Sequence, residues 1–98
     1  MMTPEAFPKQ AAALCEVGRR FGGRQWLLAT GGNLSCRIDK EHFLITQSGT
    51  DKSSLDLSGL MVCDLDGRAV DAALRPSAET PMHALLYRRD PSVQSVLH

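Results

Sequence analysis

The spacing of apolar residues along the chain predicts an alternation of helix and strand. Ala11, Leu14, Val17, Gly18 and Phe21 recur at steps of three and four, the signature of a helix with one buried face. Pro8 suits its first turn, Arg19 and Arg20 favour the negative end of its dipole, and Gly22-Gly23 stop it. Gly18 either weakens this helix or lets a neighbour pack close. After the apolar run Trp26-Leu27-Leu28-Ala29 the period falls to two. Leu34, Cys36 and Ile38 alternate with Ser35 and Arg37, which predicts a half-buried strand with the polar pair on its open face. Asp39-Lys40-Glu41 turns the chain into a second strand, Phe43-Leu44-Ile45-Thr46, giving a hairpin. Leu55 to Leu57 predicts a short helical turn, and Leu60-Met61-Val62-Cys63-Asp64 a third strand. Asp66-Gly67 then turns the chain so that Arg68-Ala69-Val70 pairs back.

A second helix follows Thr80-Pro81, with Thr80 as N-cap and Pro81 at the first helical position. Met82, Leu85, Leu86 and the stem of Arg89 form its expected inner stripe, and Asp90-Pro91 ends it. Ser92 to Leu97 predicts a last strand. His98 stands directly on that strand, so residues 1–98 read as the N-terminal part of a single domain that continues further.

Composition narrows the function classes. The 98 residues carry 11 Lys+Arg against 11 Asp+Glu, and zero formal charge disfavours a general nucleic-acid binder or a polybasic membrane surface. The apolar runs are far too short to span a bilayer, and the N-terminus lacks the basic and apolar regions of a secretory signal. Cys15, Cys36 and Cys63 are an odd number without metal-site spacing, and they read as free thiols of a reducing cytoplasm. No P-loop, dinucleotide fingerprint, nucleophile elbow or paired-histidine helix motif occurs.

Three small-residue loops carry the candidate chemistry: Thr30-Gly31-Gly32-Asn33, Ser48-Gly49-Thr50 with Lys52, and Ser77-Ala78-Glu79. Glycines let backbone N–H groups approach an anion, hydroxyls and an amide add donors, and a helix start adds dipole. Converging, they would cradle a phosphate monoester; singly, turn chemistry explains each of them. Lys52 alone reads as a solvated surface charge. Glu79, before a helix, is either a dipole-stabilising carboxylate or a general acid/base. His42 reads as solvated and His83 as packed or hydrogen-bonded; spacing alone leaves His98 unassigned.

Four stretches in order, Ala29-Thr30-Gly31-Gly32-Asn33-Leu34-Ser35, Ile45 to Lys52, Arg75-Pro76-Ser77-Ala78-Glu79-Thr80 and Val96-Leu97-His98, resemble the class II aldolase/adducin family. The resemblance runs from about Phe7 to the last residue. It implies an α/β fold of three layers, α/β/α, around a central, largely antiparallel sheet. The Thr46-to-Lys52 and Arg75-to-Thr80 stretches resemble the family's dehydratases more than its sugar-phosphate aldolases. This implies a lyase that removes water from 5-methylthioribulose 1-phosphate in methionine salvage. A sugar-phosphate aldolase or epimerase, or a non-catalytic adducin-like module, are the alternatives. By the same resemblance Thr30, Asn33, Ser48, Gly49 and Ser77 fall on phosphate-binding loops, and Glu79 matches the aldolases' acid/base, a role that some dehydratases give to a later Glu. His98 matches the first of three histidine ligands of a Zn(2+) cofactor. The implied assembly is a homo-oligomer, commonly a tetramer.

Overall fold

The computed structural model describes residues 2–23 and 32–97. Trp26 to Gly31 and His98, and with them the expected roles of Thr30 and His98, lie outside the described residues. Helix α1 spans Pro8–Gly23 and is preceded by a single 3-10 turn, Pro4–Ala6. Strands β1 (Leu34–Arg37), β2 (His42–Thr46), β3 (Leu60–Asp64) and β4 (Ser95–Leu97) and helix α2 (Thr80–Arg89) complete the regular elements. The strands form one antiparallel sheet in the order β3-β2-β1-β4.

Each face of the sheet is covered by one helix. Ala11, Leu14 and Cys15 of α1 pack with Leu34, Leu44, Leu60 and Val62 on one side. Ala84 and Tyr87 of α2 pack with Phe43, Ile45, Met61 and Cys63 on the other. This is the expected three-layer α/β/α arrangement, and it explains why β2 and β3 are apolar at successive positions: both of their faces are buried. Gly18 permits close approach, since a Cβ there would meet Leu55 Cδ2 at 2.7 Å and Leu34 Cδ1 at 3.2 Å. Among the described residues no helix is long and apolar enough to cross a membrane.

The α2 stripe is rotated from the expected one. Thr80, His83, Ala84 and Tyr87 are buried, while Met82, Leu85 and Leu86 are 37%, 41% and 41% exposed and Arg89 faces solvent. The cause lies across the interface. β1 directs Ser35 and Arg37 at α2, so the helix meets a polar surface and turns its own polar groups inward. The Ser35 hydroxyl lies 2.6 Å from His83 Nδ1 and 2.7 Å from the Tyr87 hydroxyl. Arg37 donates to the carbonyls of Tyr87, Asp90 and Val93 and lies 5.0 Å from the Tyr87 ring centre, holding the end of α2. β1 is therefore covered on both faces, not half-buried as alternation suggested; Ser35 is fully buried.

The N-cap is displaced by one residue: Glu79 occupies it without a side-chain cap bond, and Thr80 is the first residue of α2. Its N–H already donates to the Ser77 carbonyl at 3.1 Å, so the chain is turning before the proline. The helical turn expected at Leu55 to Leu57 is two 3-10 turns, Lys52–Ser54 and Leu57–Gly59, with Leu55 buried between them. The Asp66-Gly67 turn forms, with Gly67 at φ +80°, but the return strand is only a Cys63–Ala69 bridge. β4 begins at Ser95 because Ser92 is held in a turn by Asp90.

Candidate functional site

Antiparallel pairing brings the start of β1, the end of β2 and the end of β4 to one edge of the molecule. Leu34 pairs with Leu97, and Ser35 with Ile45, so Asn33 lies beside Thr46 and near the end of β4. The start of α2 packs over the same end. The two ends of the sheet thus differ in kind: one carries the loops with small polar residues, the other the β1–β2 turn.

Asn33 is the hub. It is 7% exposed, and its side-chain oxygen accepts from the Ser77 hydroxyl at 3.2 Å and from the Thr46 hydroxyl at 3.3 Å. The Leu34 N–H donates to the same Thr46 oxygen at 3.2 Å. Ser77 Oγ also lies 3.3 Å from Thr80 Oγ1. With the Ser77 proton directed at Asn33, Thr80 donates to Ser77, and the chain of hydroxyls runs from helix to strand. Accepting on its oxygen leaves Asn33 its amide N–H pair as donors. Gly32, at φ +80°, delivers the chain into this position.

Ser48 and Gly49 form the turn that follows β2, and both are exposed. Thr50 N–H donates to the Gln47 carbonyl at 3.3 Å, and Gly49 sits at φ +77°. An added Cβ at Gly49 would meet nothing, so the backbone angle, not crowding, calls for glycine. Gln47 anchors the turn: its N–H donates to the Gly59 carbonyl at 2.8 Å and its side-chain amide to Ser58 and Leu60. Glu79 is half-buried at the start of α2, two residues beyond Ser77, and its carbonyl accepts the N–H groups of Met82 and His83. Asn33 and Ser77 are thus joined at the start of α2, Glu79 follows two residues beyond Ser77, and Ser48-Gly49 emerges two to three residues beyond Thr46.

Lys52 is a correction: it is 1% exposed, not solvated, because its 3-10 turn is pressed against α1. Burial pulls its ammonium below the ordinary value, an effect that Asp51 opposes. His42 is half-buried rather than solvated, with Nδ1 2.9 Å from Asp39 Oδ1 at the opposite end of the sheet. His83 is packed and hydrogen-bonded as the sequence suggested. The thiols are protected: burial pushes Cys63 up to about 12 and Cys36 up to about 11. They are poor nucleophiles and poor metal ligands near neutrality.

Among the described residues no three His, Cys, Asp or Glu side chains come together as a metal would need. The described residues therefore do not by themselves make a zinc site. A cleft of about 590 Å³, lined by Arg37, Lys40, Tyr87 and Arg88 among others, opens at the β1–β2 turn, away from Asn33 and Ser77. Arg37 and Arg88 there already donate to backbone carbonyls.

Sequence reasoning missed the hydroxyl contacts that Thr46 and Thr80 make around Asn33 and Ser77, and the place of Ser35 between His83 and Tyr87. A signal existed: Asn33, Ser35 and Arg37 alternate on one face of β1, an unbroken polar row beside an apolar strand. Thr46, a hydroxyl closing the run Phe43-Leu44-Ile45, is the second such mark.

Residues 12–98 match the model of the Class II Aldolase and Adducin N-terminal domain. The chain is 43% identical over 90 residues to a methylthioribulose-1-phosphate dehydratase of Pectobacterium atrosepticum, covering 92% of this chain and 44% of that protein. It is likewise 43% identical over 104 residues to the enzyme of that name from Stenotrophomonas maltophilia, covering 99% and 49%. The chain thus spans less than half the length of these curated relatives. Among solved structures, the l-fuculose-1-phosphate aldolase of Thermus thermophilus superposes with a TM-score of 0.76 at 31% identity, over 93% of this chain and 44% of that one. The three-layer fold, the match over residues 12–98 and the agreement with these relatives together show that the chain belongs to the class II aldolase and adducin family.

Proposed function

We propose that this chain is the N-terminal part of a dehydratase that removes water from 5-methylthioribulose 1-phosphate, a step of methionine salvage. The observation that carries the reading is the 3.2 Å bond between Ser77 and Asn33, which joins two loops far apart in sequence, with Glu79 two residues beyond Ser77. Asn33, Ser48, Gly49 and Ser77, with Thr30, hold the phosphate, and that binding fixes the position of the reacting carbons. Glu79 takes a proton from the carbon next to the carbonyl and delivers one to the departing hydroxyl, so that the elements of water are lost. The reading includes a zinc ion, for which His98 is this chain's candidate ligand. When bound, such a metal acidifies the C–H beside a carbonyl. The enzyme works as a homo-oligomer, a tetramer, in the cytoplasm.

The higher identity to the dehydratases supports dehydration; the likeness to the l-fuculose-1-phosphate aldolase favours carbon–carbon cleavage as the second reading. Assay of the complete enzyme on both sugar phosphates separates them. Glu79→Gln keeps the shape and removes the proton carrier, so turnover should fall about 10²–10⁴-fold with KM little changed. Turnover near wild type in that variant would move the acid/base to another residue, and release of a three-carbon fragment instead of water would replace dehydration by aldol cleavage.

A further inference from the structure

We propose that Thr46 is a positioning residue for the substrate phosphate: its buried hydroxyl orients the Asn33 amide with oxygen inward and N–H donors toward the ligand. This rests on the proposed role of Asn33 in phosphate binding. Thr46 closes β2 and is fully buried, where a valine of the same shape would satisfy packing equally well. Its hydroxyl is instead placed between a backbone N–H, which is a fixed donor, and the Asn33 amide, which can present either its oxygen or its N–H pair. The Leu34 N–H can only donate, and it reaches Thr46 Oγ1 at 3.2 Å. The Thr46 proton is thereby directed at Asn33 Oδ1, 3.3 Å away. Ser77 donates to the same oxygen at 3.2 Å.

An amide side chain has two faces of opposite polarity. Two hydroxyl protons converging on one end select that end as the carbonyl, so the outward end carries the N–H pair. The reversed rotamer would set a carbonyl oxygen against the phosphate oxygens. Thr46 therefore acts on the ligand through Asn33 without touching it. Its backbone hydrogen bond ties this orientation to the register of β1 on β2, where Thr46 also pairs with Leu60 of β3.

The test is steady-state kinetics of the complete enzyme with phosphorylated and dephosphorylated sugar, and with inorganic phosphate as a competing anion. Thr46→Val should raise KM for the phosphorylated sugar and the inhibition constant of inorganic phosphate about 5- to 30-fold, the effect of one hydrogen-bond orientation. Its kcat should stay within about threefold, since the reacting carbons are not addressed. Thr46→Ser should restore wild-type values, and Thr46→Val should add little to an Asn33→Ala background. Where the valine variant does not accumulate as folded protein, Thr46→Ala carries the same expectation. Wild-type phosphate affinity in the folded valine or alanine variant overturns the inference, as does a fall in kcat without a change in KM, or failure of serine to rescue. A wild-type enzyme indifferent to the presence of the phosphate group overturns the reading of Asn33 itself, an outcome distinct from the others.

Discussion

Replacing Ser35 by alanine should cost this fold several kcal/mol for the loss of a single oxygen atom. The hydroxyl is fully buried between β1 and α2, 2.6 Å from His83 Nδ1 and 2.7 Å from the Tyr87 hydroxyl. Alanine removes one oxygen and leaves almost no cavity, so the loss is one of polar pairing. Two buried hydrogen bonds are worth about 0.5–1.5 kcal/mol each, and a buried polar group stripped of its partner adds about 1–3 kcal/mol. The expected total is about 2–6 kcal/mol, a large part of the roughly 5–15 kcal/mol by which a folded domain is stable. Tyr87→Phe should cost less, about 1–2 kcal/mol. It removes one of these bonds and keeps the ring 4.9 Å from Phe43 and under the Arg37 guanidinium. In the double variant both partners of the 2.7 Å contact are gone, so its cost should fall short of the sum by about 1 kcal/mol. Urea titration followed by circular dichroism reads all three; with a slope of about 2 kcal/mol per M the Ser35→Ala midpoint should drop by about 1–3 M. A midpoint unchanged from the parent, or single costs that simply add, would refute the account of a polar interface that sets the rotation of α2.

Two further outcomes follow from the packing and the titrating groups. Gly18→Ala offers a helix-propensity gain of about 1 kcal/mol but sets a Cβ 2.7 Å from Leu55 Cδ2, so the melting temperature should fall; Leu55→Ala in the same chain should relieve the clash, and a stabilised single variant would contradict the close approach. Cys36, Cys63 and Tyr87 are held protonated by burial, at about 11, 12 and 12 against ordinary values of 9.0, 9.0 and 10.0. The unfolded chain therefore loses these protons first, so their contribution is complete below pH 9.0 and declines as pH rises through about 11–12. Lys52, held below its ordinary value, offsets part of this at high pH. The urea midpoint should fall between pH 8 and pH 10.5, and a rise over that interval would reverse the assignment.

The sequence by itself determined the elements and the class. Three-four spacing marked α1, apolar runs marked β2 and β3, and turn residues marked the Gly49 and Gly67 corners, because each depends on local geometry and on the period of burial. It also marked Asn33, Ser77 and Glu79 as residues of one family pattern. The tertiary structure decided which face of each element is the inner one. Hydrophobicity alone turned Met82, Leu85 and Leu86 inward; the polar row Asn33, Ser35 and Arg37 on the facing strand turned them out and drew Thr80, His83 and Tyr87 in. Buried polar groups are satisfied by partners distant in sequence, and no local pattern records a partner 44 to 52 positions away. The same reason hid Thr46, whose hydroxyl matters only because β1 lies alongside it, and Lys52, whose burial depends on α1 crossing its turn.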